Sequence, residues 1–174
     1  IKSFGAKCHY ISAVGDDDLA KKAAIFLDEF GVTHDLIIDD SRPTTFKTRY
    51  MVEHQKMFRV SKLKEHALAE DLETQVIEKI ANAAPHVDGI LVSDFVYGVI
   101  TPKVLTEIKR VSEKHGLLLF GDLQCSSQVG NILKFEKFDL ICPTEREARI
   151  SLGNKDDGVE VVANTIIDKT GCKN

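Results

Sequence analysis

An α/β fold, with a mostly parallel sheet flanked by helices, is what the 174-residue sequence predicts from three observations. Short apolar runs, among them VDGILVSD over 87–94 and GLLLFGD over 116–122, have the composition of buried parallel strands. Segments with helical spacing of apolar residues alternate with these runs, the order that covers both faces of a parallel sheet. Only 44–60 departs from this, alternating β-branched or aromatic residues with polar ones as a short antiparallel strand pair does.

In chain order, AKCHYISAV over 6–14 predicts a strand, and Gly15 with Asp16, Asp17 and Asp18 leads into the helical pattern LAKKAAIFLDEF. Acidic residues at that place cap free amides and complement the helix dipole, so capping is expected of them rather than metal binding. Gly31 stops the helix and THDLIID is the second strand. The strand pair follows, turning near Glu53 and His54, and then an amphipathic helix over 68–84. Past the strand that ends at Asp94, Thr101 and Pro102 open a helix that runs to His115 and is closed by Gly116. FDLIC is the last strand, with helices from Thr144 to Leu152 and over 156–169.

A hydrophobic share of 43% is enough for one core, and one domain is the expectation. A net charge of −4 and a pI near 5.9 supply no basic field, which argues against nucleic acid and membrane as partners. Lys62 with Lys64, Lys109 with Arg110, and Lys134 with Lys137 are interrupted by other residue types and predict solvated faces. Cys8, Cys125, Cys142 and Cys172 lack zinc-ligand spacing and are expected to be reduced thiols, Cys8 and Cys142 acting as small hydrophobes within apolar runs. With no membrane-length apolar stretch and no signal sequence at Ile1, the expected location is cytoplasmic.

Ligands of open parallel sheets gather at the carboxyl ends of the strands, which singles out Asp16, Asp94, Asp122 and Glu147. Carboxylates along one edge suit magnesium, a hard cation that takes few protein oxygens together with substrate phosphates. Alternation places Lys47 and Arg49 on one face of the first ribbon strand, making that face positive. The Walker loop, dinucleotide, nucleophile-elbow and zinc-protease motifs are absent, which excludes a dehydrogenase-like dinucleotide binder, and the scattered histidines suggest neither a ligand nor a base.

Four segments carry a family resemblance: GAKCHYISAVGDDDLAKKAAIFLDEFGV, SRPTTFKTRYMVEHQKMFRVS, LVSDFVYGVITPKVL, and FGDLQ through LICPTEREARISLG. Together they resemble the ribokinase-like (PfkB-type) sugar kinases. The second segment is closest to the D-glycero-D-manno-heptose 7-phosphate kinases that form the kinase part of ADP-heptose synthase. The resemblance implies an ATP-dependent kinase with Mg2+ that phosphorylates a heptose 7-phosphate or related sugar phosphate. It places Lys47, Arg49 and Gln55 beside the sugar-phosphate pocket and Asp94 and Asp122 at the active edge of the sheet. Glu147 matches the glutamate of an Asn-x-x-Glu motif that organises magnesium-bound water, with Thr144 in place of the asparagine. Phe95, Val96, Tyr97 and Gly98 stand where the family has Tyr-Gly-Lys-Gly, and Leu123 with Gln124 where it has Pro-Lys.

The family's Gly-Gly-Ala-x-Asn segment would precede Ile1, and its Asp-Thr-x-Gly-Ala-Gly-Asp segment, with anion hole and base, would follow Asn174. The expectation is thus a single partial ribokinase-like domain over 1–174, incomplete relative to the family, with no catalytic residue assigned. The alternative is a non-catalytic domain, derived from such a kinase, that binds sugar phosphate or nucleotide or serves as an interaction module. Strand edges within 44–60 suit pairing in a homodimer.

Overall fold

The computed structural model describes residues 1–124 and 129–174, so Cys125 lies outside the described residues. Two compact units divide the chain, Ile1–Ala83 and Ala84–Asn174.

In the first unit, β1 (His9–Val14) and β2 (Thr33–Ile38) pair in parallel from His9↔Thr33 to Val14↔Ile38, joined by α1 (Asp18–Glu29). Asp17 is the capping residue of the acidic run, accepting from the Ala20 amide at 3.0 Å, while Asp18 begins the helix and pairs with Lys21. The expected ribbon is formed by β3 (Phe46–Val52) and β4 (Gln55–Lys62), antiparallel, with an irregularity between Tyr50 and Met51. Its turn holds Glu53 at φ 52°. The amphipathic segment becomes α2 (Glu70–Ala83), which buries Val76 and Ile80 and packs on β1 and β2. Helix α1, by contrast, has no fully buried residue, and Ile25, Phe26 and Phe30 stay exposed.

The second unit is a parallel sheet in the order β5-β6-β7, from β5 (Gly89–Asp94), β6 (Leu118–Leu123) and the two-residue β7 (Leu140–Ile141). Between β5 and β6 runs α3 (Pro102–His115), capped by the Thr101 side chain on the Val104 amide and closed by Gly116 at φ 68°. Beyond β7 come α4 (Glu145–Leu152) and α5 (Val159–Thr170). The core is apolar and tightly filled: Leu123, Ile132, Phe135 and Phe138 are inaccessible, and the two phenylalanine rings lie 4.9 Å apart. After α5 the chain returns along β7, where Lys173 donates to the Phe138 carbonyl at 3.0 Å and Ile141 donates to that of Asn174 at 3.1 Å.

Two local expectations change. Cys142 is exposed and Cys8 half-buried, so among the described residues the buried thiol is Cys172, which follows the last helix. Lys134 is more than a solvated surface cation: it pairs with Asp94. Sequence spacing could not show this, because the partner lies 40 residues away.

Candidate active site

At the carboxyl end of β1, the turn Val14-Gly15-Asp16-Asp17 carries the segment that leads from β2 into the ribbon. The Gly15 amide donates to the Thr44 hydroxyl at 2.9 Å and the Thr44 amide to Asp17 at 3.0 Å. A Cβ on Gly15 would stand 2.6 Å from the Arg42 carbonyl oxygen and 2.6 Å from the Thr44 nitrogen, so only glycine admits this approach. The hydrogen bond from the Thr44 side chain holds the Asp17 carboxyl below its ordinary value.

Pairing across the ribbon determines which side chains share a face. Lys47 stands opposite Ser61 and Arg49 opposite Arg59, which makes one face basic. Beyond the irregularity, Lys56 lies opposite Met51 and joins that face, whereas Gln55 lies opposite Val52. Gln55 therefore shares the other face with Tyr50 and Phe58, whose rings stack at 4.4 Å, and is not brought together with Lys47 and Arg49. Arg49 and Arg59 stand directly opposite each other, and like charges so opposed on a ribbon repel. Sequence reasoning left Arg59 without a role, although the alternation 47, 49, 59, 61 contains the signal once the turn is placed.

In the second unit Asp94 ends β5 with 4% exposure, accepting from the Val96 amide at 2.7 Å and pairing with the Lys134 ammonium. Val96 adopts φ 61°, a left-handed conformation that is strained for a β-branched residue by about 1–3 kcal/mol. It stands where the resembling kinases have glycine. Tyr97, at the place of the family lysine, is buried. Asp122 lies opposite Ser93, and Asp94 opposite Leu123, so the two aspartates project to opposite faces of the sheet. Asp122 accepts from the Gln124 side chain at 3.0 Å.

Thr144 and Glu147 come together in a capping box. The Thr144 amide and hydroxyl both donate to Glu147 Oε2, at 2.8 and 2.7 Å, and the Glu147 amide donates to the Thr144 hydroxyl at 3.3 Å. The glutamate is buried. Beside the cap lies an open depression of about 560 Å3 lined by Thr144, Glu145, Arg146, Arg149 and Ile150. Among the described residues no three His, Cys, Asp or Glu side chains converge as a metal cage would require.

The model of the pfkB family carbohydrate kinases matches residues 1–170. The chain belongs to this family. Its relatives include the bifunctional protein HldE of Campylobacter fetus subsp. fetus, 29% identical over 97% of the chain and 36% of the relative. HldE of Helicobacter acinonychis is 31% identical over 90% of the chain and 33% of its own length. The chain thus spans about a third of the length of these relatives. Among solved structures, the tetrameric inhibited form of phosphofructokinase-2 from Escherichia coli superposes with a TM-score of 0.72 at 14% identity, covering 99% of this chain and 56% of that one. Ribokinase from Giardia lamblia gives 0.70 at 15% identity, over 94% of this chain and 49% of that one. These neighbours bear out the ribokinase-like α/β fold, parallel strands flanked by helices with a strand pair near 44–60.

Proposed function

We propose that the chain is the sugar-binding and part of the nucleotide-binding portion of an ATP-dependent kinase that phosphorylates a heptose 7-phosphate or a related sugar phosphate, the two units belonging to one ribokinase-like domain. The observation that carries this reading is the basic ribbon face of Lys47, Arg49, Lys56 and Arg59 in a chain of this family. Charge-assisted hydrogen bonds from such cations to a phosphate dianion are stronger than neutral ones and select for phosphorylated sugars. Asp94, which accepts from the Val96 amide and pairs with Lys134, is assigned to a sugar hydroxyl on the family resemblance. Gln55, on the ribbon's other face, is left out of this basic face.

Thr144, Glu147 and Asp122 are assigned to the nucleotide side. Glu147 offers magnesium a hard oxygen next to the Thr144 hydroxyl, which suits an ion that keeps most of its water and takes phosphate oxygens for the rest. Magnesium, when bound, offsets the charge on the transferring phosphoryl group. Residues 1–174 contain no Asp-Thr-x-Gly-Ala-Gly-Asp segment, so no base for the sugar hydroxyl is assigned among them. The setting proposed is cytoplasmic, where ATP and sugar phosphates meet. No helix among the described residues is long and apolar enough to cross a membrane.

The ribbon's other face, with Phe46, Tyr50, Phe58 and Val60 about half exposed, supports a homodimer through strands 44–60. Buried Tyr97 in place of a lysine, and Thr144 spent on a helix cap, favour a second reading, a non-catalytic sugar-phosphate or interaction domain.

Calorimetric titration with heptose 7-phosphate, alongside titration with magnesium-ATP, separates the two. The kinase portion binds the sugar phosphate, and Arg49→Ala weakens it by about tenfold or more with the fold retained. Binding indifferent to Arg49 removes the ribbon from the site. Sugar-phosphate binding without Glu147-dependent binding of magnesium-ATP supports the second reading.

A further inference from the structure

The chain leaves the sheet for the ribbon at residues 39–44 and returns at 62–66, and these two roots are tied together by a polar cluster in which Asp39 and Arg42 are buried and Ser41, Lys64 and His66 exposed. Asp39, next after β2, extends the ladder by donating its amide to the Val14 carbonyl at 2.8 Å, and it is only 2% exposed. Its Oδ2 accepts from Arg42 Nε at 2.5 Å, and its Oδ1 from the Ser41 amide at 3.0 Å and the Ser41 hydroxyl at 2.5 Å. From the same guanidinium a second nitrogen reaches across to the His66 carbonyl at 2.9 Å. Ser41 Oγ meets His66 Nε2 at 2.7 Å and Lys64 Nζ donates to the Ser41 carbonyl at 3.2 Å, so outgoing and returning strands are joined three times.

We propose that Arg42 is a positioning residue for the ribbon, its guanidinium clamping both roots to the carboxyl end of β2 and so setting where the basic face of Lys47, Arg49 and Arg59 stands. A planar fork with separate donors serves a carboxylate on one side and a carbonyl on the other, which the point charge of lysine cannot do. The pair gains little net stability from burial, because desolvating two charges offsets most of their attraction; what it contributes is a single geometry. The ribbon packs mainly on itself, so its direction is decided at its roots. With a rise of about 3.3 Å per strand residue, a tilt of about 10° at Thr44 moves Arg49 by about 3 Å, and errors of about 1 Å in placement already cost about 100-fold in a reacting site. The inference deepens the proposed function and rests on Lys47 and Arg49 binding the phosphate.

Two variants of the full chain test it, Arg42→Lys, which keeps the charge, and Arg42→Met, which keeps the bulk. Hydrogen exchange is read over 46–62 and over the β1–β2 sheet, and affinity is read by calorimetry with fructose 6-phosphate and with inorganic phosphate as probes. The expected result is exchange in the ribbon faster by about tenfold, an unchanged sheet, and fructose 6-phosphate affinity lower by about tenfold or more. Unchanged ribbon exchange, or exchange that rises equally through the sheet, overturns the proposal. Faster ribbon exchange with probe affinity unaltered also overturns it. Should the unmodified chain bind neither probe while Arg42→Lys frees the ribbon alone, the phosphate-binding reading has failed and the clamp has not.

Discussion

Asp39 and Asp94 each close a parallel strand, each is nearly inaccessible and each meets a cation, yet they are held by different means. Asp39 takes its partner from its own loop, three residues on, and the unit around it is thinly covered: α1 buries no residue fully and both ribbon strands are largely exposed. Asp94 takes a partner 40 residues away and sits in a unit whose centre is a wall of phenylalanine and branched aliphatic side chains. The first unit places its ribbon by polar contacts at two roots, and the second places its strand ends by apolar packing behind them. A polar anchor sets direction with little mass, whereas an apolar core tolerates the loss of one polar contact.

The sharpest way to break this contrast is Asp39→Asn, which leaves the Arg42 guanidinium buried against a neutral partner and is expected to cost about 3–5 kcal/mol. Urea unfolding followed by exchange should show the first unit opening early, with the second retained. Lys134→Met strands the Asp94 carboxylate, but the Lys134 side chain is 26% exposed, so a smaller loss, about 1–3 kcal/mol, is expected in chemical denaturation.

Acid sharpens the comparison next. Burial pushes the Asp39 carboxyl up, but the bonds from Ser41 and Arg42 outweigh it and the net value is lowered. Lys79 lowers Asp35 in the same unit. A carboxyl whose folded value is depressed stabilises fully above its unfolded pKa, near 3.9, and loses that contribution as pH falls through the folded value. The first unit is therefore expected to lose structure below about pH 4 ahead of the second, whose lowered carboxyls, Glu107 and Asp139, pair at its surface with Arg110 and Lys173. Amide-resolved NMR across pH 6 to 2.5 on the full chain reads this order; simultaneous loss of both units would remove the distinction. The smallest effect is expected from Thr144→Ala, which deletes one cap of α4 for about 1 kcal/mol and should lower the thermal midpoint of the second unit by a few degrees.

Most of the elements were legible in the sequence because their signals are local. Asp17, Thr101 and Thr144 cap helices where side chains of their type precede apolar periodicity, and the turn at Glu53 and His54 falls where alternation breaks. The site was legible only in part. Lys47 and Arg49 share a face because alternation within one strand demands it, but the irregularity at Tyr50 and Met51 carries Gln55 to the opposite face, and a single-residue shift in pairing has no mark in the composition.

By itself the sequence determined the α/β order, the ribbon with its basic face, the helix caps and the family to which the chain belongs. These follow from period, propensity and neighbouring residues, all of which act over a few positions. Tertiary structure alone decided that Asp94 and Asp122 face apart, that Lys134 serves Asp94, that Val96 bears a left-handed turn, and that Arg42 joins two segments 24 residues apart. Each of these depends on register or on a partner brought near only by folding, and contacts of that kind have no period for a sequence to display.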